Sequence, residues 1–241
     1  MHTFVLVHGA WHGSWSWKRV RDLLIAQGHR VFTPTLSGVG ERTHLLSPDI
    51  GLETHVSDIL NLLRFEELDN VVLVGHSYGG VVAQHVVDRM PERIAVLLFL
   101  DAFVLEHGRS VTSYLPDNGA KHREGAHASG DGWRVPPIPA AAFEVNPADV
   151  AWVDRQCTPM PLKALEDPAR LTGLWQTHPA IGYIKAKRRA AGAFEQFHQY
   201  AIDRGWWVRD LACGHDIPID MPHECVDLLL EFAGSDRHGN R

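Results

Sequence analysis

The sequence predicts an α/β protein built on a mostly parallel sheet, and three observations carry that prediction. Short apolar runs alternate with amphipathic stretches through the first hundred residues, and the alternation resumes after residue 180. Between an apolar run and a helical pattern stands Gly75-His76-Ser77-Tyr78-Gly79. Strand–helix alternation of this kind places successive strands parallel, with right-handed crossovers covering both faces of the sheet.

Taken in order, Thr3–Val7 is β-branched and unbroken by polar residues, the pattern of a strand buried on both faces. Trp15 to Ala26 sets Trp17, Val20, Leu23 and Leu24 at helical spacing, and Gly28 stops it. His29–Thr33 reads as a strand ended by Pro34, and residues 36–51 as a glycine-rich polar loop. Leu52 to Leu68 carries a helix face of Val56, Ile59, Leu60, Leu62 and Leu63. Val71–Val74 is a third strand, Tyr78–Met90 a helix with Pro91 beyond it, and Ile94–Leu100 a fourth strand. Residues 105–180 break the pattern: they are proline-rich, hold Trp133, Trp152 and Trp175, and offer only short helical stretches such as Pro139–Phe143 and Pro161–Leu165. Gly182–Lys187 (strand), Phe194–Arg204 (helix), Trp206–Leu211 (strand) and Pro222–Ala233 (helix) then restore it. Residues 1–104 and 181–233 therefore read as two parts of one core. Residues 105–180 read as an insertion over the carboxyl edge of the sheet, where open α/β folds bind ligands, and 234–241 as a polar tail.

Composition narrows the function classes. The 241 residues are 45% hydrophobic and 22% charged, with 23 Lys+Arg against 29 Asp+Glu for a net charge of −6. No basic footprint for nucleic acid or an anionic membrane stands out. Cys157, Cys213 and Cys225 are an odd number at spacings that match no zinc or CxxC pattern, which favours a reducing setting. The apolar stretch Phe4–Val7 is too short for the ~7–15 residues of a signal-peptide core, and no window approaches the ~18 of a membrane span. A soluble, cytoplasmic protein is the expectation.

The residues that carry chemistry are local. In Gly75-x-Ser77-x-Gly79, a tight strand-to-helix turn holds the serine in strained backbone geometry, and glycines two positions away avoid collision. The turn lifts the hydroxyl above the sheet at a helix N-terminus, which favours developing negative charge. The bland alternative is a glycine-rich turn whose serine only caps the helix. Val7-His8-Gly9-Ala10-Trp11 ends a strand in a small-residue loop of the kind that supplies a second oxyanion donor. The expected donors are the backbone N–H groups of Ala10 and Tyr78. His8 and His12 read as packing and loop residues rather than metal ligands. A serine hydroxyl needs a base. Among the 16 histidines, His215 is the one in a loop after the last strand, within Cys213-Gly214-His215-Asp216.

Together with Gly38-Val-Gly-Glu-Arg-Thr-His-Leu-Leu46 and Leu100-Asp-Ala-Phe103, these motifs make the chain resemble the α/β-hydrolase superfamily from Phe4 to about Ala233. It is similar to the branch of plant methyl-salicylate-type esterases and hydroxynitrile lyases, and to bacterial esterases that include pyrethroid and carbamate-pesticide hydrolases. The resemblance implies an α/β-hydrolase fold of about six strands with a helical cap, and no cofactor or metal. It implies a serine carboxylic-ester hydrolase that forms an acyl-enzyme on a small, largely apolar ester, with aryl, carbamate and other xenobiotic esters in range. Relatives are often dimers, which makes a homodimer an expectation by analogy only. Two other readings stand beside the esterase: a hydroxynitrile-type lyase and a silent ligand-binding relative. The related lyases carry Thr where this chain has Gly9 and Lys where it has Asp216.

The acid departs from the family pattern. Its usual loop, after Gly182–Lys187, reads Lys185-Ala-Lys-Arg-Arg189 and has no carboxylate. Asp101, at the carboxyl end of a buried strand, is the expected acid, accepting from Nδ1 of His215, with Glu195 as first alternative and Asp203 and Asp210 behind it. The basic loop is then expected to turn its charges to solvent. For the substrate pocket the expected residues are Trp11, Phe103, Trp133, Trp152 and Trp175.

Overall fold

The computed structural model describes residues 1–188 and 194–235. Arg189 and the tail beyond residue 235 lie outside the described residues. The first part of the chain forms β1 (Thr3–Val7), α1 (Lys18–Ala26), β2 (Arg30–Phe32), α2 (Leu52–Phe65), β3 (Val71–His76), α3 (Tyr78–Arg89) and β4 (Ile94–Leu100). Residues 105–180 contain α4 (Ala120–Ser129), β5 (Arg134–Val135), α5 (Val150–Gln156), β6 (Met160–Pro161) and α6 (Leu162–Glu166). The described chain ends with β7 (Ile181–Ala186), α7 (Glu195–Asp203), β8 (Trp207–Leu211), α8 (Ile217–Asp220) and α9 (Pro222–Ser235).

Six strands form one sheet in the order β2-β1-β3-β4-β7-β8, every pair parallel. Alternate side chains feed two cores. Val5, Val7, Leu73, Phe99 and Tyr183 pack with α2, α3 and α7, while Phe4, Leu6, Val74, Leu98 and Ile184 pack with α1 and α9. The pairs Val7–Gly75, His76–Leu100 and Ala186–Leu211 are in register, so the loops after β1, β3, β4 and β8 leave the sheet at one edge. Parallel register is what gathers residues so distant in sequence.

Three expectations about the elements change. β3 runs on through Gly75 and His76, because both still pair with β4. The stretch from Trp15 is a tight turn over Ser14–Trp17 followed by α1, not one helix. Residues 105–180 hold two helices, α4 and α5, that periodicity could not signal, since each buries a single residue, Ala126 and Val153.

That segment is tied to the core by polar contacts. The Asp88 carboxylate on α3 accepts from the backbone N–H groups of Thr172, Gly173 and Trp175 at 2.6, 3.1 and 3.1 Å. The Asp167 carboxylate accepts from Leu52 N–H at the start of α2. Thr158 N–H donates to the Trp11 carbonyl at 2.9 Å, and His215 N–H to the Phe143 carbonyl at 2.9 Å. The segment thus grips the loops after β1 and β8, the two that flank the candidate site.

Candidate active site

Ser77 sits between β3 and α3 with φ 53° and ψ −121°, a conformation that costs a non-glycine residue about 1–3 kcal/mol and is held by its surroundings. The neighbouring glycines make the turn fit. A Cβ on Gly75 would lie 2.5 Å from the Gly79 carbonyl oxygen, and one on Gly79 would lie 2.5 Å from that of Val7. Asp101 leaves β4 with φ 40°, also in the left-handed region. Its own N–H donates to the Ile184 carbonyl at 2.7 Å, which fixes the turn.

His215 Nδ1 donates to Asp101 Oδ2 at 2.7 Å, and both side chains are buried. The imidazole is packed on three sides. Phe194 stacks on it at 4.6 Å between centroids, His76 lies at 4.7 Å and Phe143 at 5.3 Å. With Nδ1 committed to the carboxylate, Nε2 is the nitrogen left for the cavity that His215 and Ser77 both line.

The other carboxylate candidates are engaged elsewhere. Glu195 is exposed and pairs with Lys185 and His198. Asp210 pairs with Lys187 and His198, and Asp203 accepts from Gln199. The basic stretch after β7 is only partly solvent-facing. Lys187 and Arg188 are half-exposed, but Lys185 is 4% exposed, with Nζ 3.9 Å from Asp101 Oδ1 and 3.4 Å from Glu195 Oε2. The expectation that this charge turns outward is corrected: β7 is buried along its length, and two carboxylates offset the ammonium.

Ala10 and Tyr78 both line the cavity. Tyr78 is the first residue of α3, so its N–H has no partner within the helix. Among the described residues, no acceptor engages the Ala10 N–H either. The Tyr78 hydroxyl is held away from the reacting centre, donating to His55 Nδ1 at 2.8 Å while His55 Nε2 donates to the Ser37 carbonyl at 2.9 Å. His8 is a loop support, with Nδ1 donating to the Gly9 carbonyl and Nε2 accepting from Leu36 N–H. Burial pushes it down to about 3, which keeps it neutral.

The cavity above Ser77 measures about 260 Å³, and its apolar wall includes Trp11, Phe103, Val111, Phe143, Leu165 and Phe194. Trp11 has φ 64° and donates its indole N–H to the Val135 carbonyl at 3.2 Å. Three expected pocket residues do not line it. Trp133 lies beside the Arg134 guanidinium, and Trp152 packs edge-on to Trp15 under Arg19. Trp175 is buried between Phe99 and Trp206 and borders a separate cavity with Tyr114 and Tyr200. Each found an aromatic or cationic partner elsewhere, and composition does not say which apolar surface an indole will choose.

Behind His215 lies a cluster that sequence reading missed. The Asp216 carboxylate is 1% exposed, with His12 Nε2 3.4 Å from Oδ2 and His76 Nε2 3.8 Å from Oδ1. Burial pushes the Asp216 carboxyl up, but the charge and contact of His12, with the nearby His76 and His215, together outweigh it and hold the group below the usual carboxylate range. Burial lowers the His12 imidazole, and the charge and contact of Asp216 together with the Ala10 carbonyl outweigh that and raise it. Burial, with the neighbouring His215, takes His76 down to about 3. Ligand atoms of His76, His215 and Asp216 fall within 4.8 Å of one another. They suit a metal poorly, since His215 Nδ1 is bonded to Asp101 and His76 Nε2 donates to the His215 carbonyl at 2.9 Å.

Residues 4–228 match the model of the alpha/beta hydrolase family. The chain is 42% identical to the carbendazim hydrolyzing esterase of a Nocardioides species over 242 residues, covering 97% of this chain and all of that protein. It is 41% identical to Methylesterase 1 of Arabidopsis thaliana over 111 residues, 44% of this chain and 42% of that one. Its fold is similar to an extracellular alpha/beta-hydrolase from a Paenibacillus species, described as homologous to tobacco Salicylic Acid Binding Protein 2. The TM-score is 0.84 at 22% identity, with 96% and 98% of the two chains covered.

Proposed function

The chain belongs to the alpha/beta hydrolase family and is an ester hydrolase of the carboxylesterase type, and from that premise we propose that it acts through an acyl-enzyme on Ser77. In this reading Ser77 Oγ attacks the ester carbonyl while His215 Nε2 takes its proton. The N–H groups of Ala10 and Tyr78 hold the oxyanion, each worth roughly 3 kcal/mol of barrier. His215 then protonates the departing alcohol, and water deacylates Ser77 by the same relay. Asp101 fixes the imidazole tautomer and offsets the imidazolium. The observation that carries the reading is the 2.7 Å bond between His215 Nδ1 and Asp101 Oδ2 beside a cavity that Ser77 lines.

Residues 105–180 act as the cap over the core formed by 1–104 and 181–233, since Val111, Phe143 and Leu165 supply part of the cavity wall. The substrate is a small aryl or carbamate ester. Support comes from the aromatic lining and from the name of the carbendazim hydrolyzing relative. A cytoplasmic location accords with Cys157, Cys213 and Cys225 being free thiols. No helix among the described residues is long and apolar enough to cross a membrane. The lyase reading is not favoured. A Cβ on Gly9 would lie 3.0 Å from the Ser77 Cβ, so a threonine there would require Ser77 to shift by a few tenths of an ångström, and position 216 is a carboxylate where the lyases carry lysine.

Burst release of p-nitrophenol from a short-chain ester, lost in Ser77→Ala, is the direct test, and equal turnover in the variant overturns the reading. A panel of aryl, alkyl, carbamate and pyrethroid esters, carbendazim among them, then ranks the substrate classes.

A further inference from the structure

The triad uses Asp101 and leaves a second buried carboxylate, Asp216, without a chemical task. Beyond their mutual contact at 3.4 Å, neither His12 Nε2 nor the Asp216 carboxylate has a hydrogen-bond partner among the described residues. The protonation state of His12 follows from its contacts. Its Nδ1 lies 2.6 Å from the Ala10 carbonyl oxygen, which can only accept, so Nδ1 carries a hydrogen. A bare lone pair on Nε2 would then point at a buried carboxylate. His12 is therefore an imidazolium paired with Asp216, and the pair is neutral overall. His76 needs no charge, because its Nε2–H already donates to the His215 carbonyl.

The pair joins two loops. His12 holds the Ala10 carbonyl in the loop whose Ala10 lines the cavity, and Asp216 directly follows His215 in the loop after β8. His76 braces the same junction from β3, its ring 4.7 Å from that of His215 and 6.4 Å from that of His12. Trp15 stacks on His12 at 5.0 Å, which restricts the movement of the imidazolium.

We propose that His12 and Asp216 are positioning residues for ester cleavage: their buried ion pair clamps the oxyanion loop to the histidine loop and fixes the Ala10 N–H relative to His215. The inference rests on the esterase reading above. A neutral pair suits the task, because a lone carboxylate there would oppose the charge that develops on the oxyanion. Small displacements matter at this junction, since a misplacement of about 1 Å can cost about 100-fold in rate.

Two near-isosteric variants test it. Asp216→Asn removes the charge, and His12→Asn keeps a donor near Nδ1 for the Ala10 carbonyl while losing the arm that reaches Asp216. For each, kcat is expected to fall about 10- to 100-fold with KM within about threefold, the size of a weakened oxyanion contact. Affinity for a trifluoromethyl ketone, whose adduct with serine carries an oxyanion, should fall by the same factor as kcat. Affinity for the unreactive alcohol product should hold. The double variant should be no slower than the slower single one, as for residues that act as a unit. The charge-free double variant carries the test if the single ones do not fold. Overturning results are unchanged kcat and ketone affinity in a folded variant, or a kcat loss in which product affinity falls equally. A wild-type protein that cleaves no ester of the panel sinks the esterase reading instead, so the two failures are told apart.

Discussion

At His215 the two ring nitrogens have separate environments, and the assignment of the acid turns on which carboxylate holds Nδ1. Asp101 does so at 2.7 Å, whereas Glu195, exposed at the start of α7, is drawn to Lys185 at 3.4 Å. Asp101→Asn should therefore retain its melting temperature within a few degrees yet lose about 10⁴-fold in kcat, because the wrong tautomer is presented to Ser77. Glu195→Gln is the contrast. A half-solvated pair is worth about 1 kcal/mol at most, so its kcat should stay within about fivefold of wild type. Steady-state kinetics on one ester decides both, and a larger loss from the Glu195 variant would reverse the assignment. Asp101 was legible in the sequence because a carboxylate directly after a buried strand has one edge to occupy. Lys185 was not, since nothing in a run of basic residues says which of them a buried strand will enclose.

The turn between β3 and α3 carries Ser77, the proposed nucleophile, and its glycines are set by backbone contact rather than by flexibility. A Cβ on Gly79 would meet the carbonyl oxygens of Val7 and His8 at 2.5 and 2.6 Å, and a strand backbone cannot yield as a side chain does. Gly79→Ala should lower stability by about 3 kcal/mol or prevent accumulation of folded protein, read by urea denaturation. A fully stable variant would mean that the elbow is looser than its geometry implies. The segment 105–180 governs a different property. Val111 is buried and lines the 260 Å³ cavity, so Val111→Trp should fill much of it. We expect kcat/KM for bulky aryl esters to drop more than about 10-fold while p-nitrophenyl acetate is cleaved nearly as before. Equal losses on both esters would place Val111 outside the specificity wall.

Across the whole molecule, the buried histidines set a pH signature. Burial holds His8 and His76 at about 3, so neither binds a proton in the fold between there and the ordinary value of 6.5, while the unfolded chain does. Stability must then fall as pH drops below about 6.5, by up to about 1.4 kcal/mol per unit for each such group. His12 acts in the opposite direction. Its raised pKa contributes stability that is complete below 6.5 and is lost as pH rises through the folded value. The depressed Asp216 carboxyl contributes fully above its ordinary value near 3.8 and is lost only in stronger acid. Calorimetry from pH 5 to 9 should find the highest melting temperature just above pH 6.5, and a melting temperature that climbs toward pH 5 would contradict the neutral burial of His8 and His76.

The alternation of strands and helices, the serine turn and the loop of His215 were determined by the sequence alone, because each rests on local periodicity or on backbone room that short-range residue choice controls. Strand register then followed closely enough to bring Asp101 to the same edge. Tertiary structure decided which side chains meet across that edge. It sent Trp133, Trp152 and Trp175 to other partners, buried Lys185 beside Asp101, and packed Phe143 and Phe194 against the His215 imidazole. It also joined His12 to Asp216 from opposite ends of the chain. The physical reason is common to all of these. Burying an indole or pairing an imidazole gains free energy from any partner of suitable chemistry, and only the packed arrangement of loops selects which one is within reach.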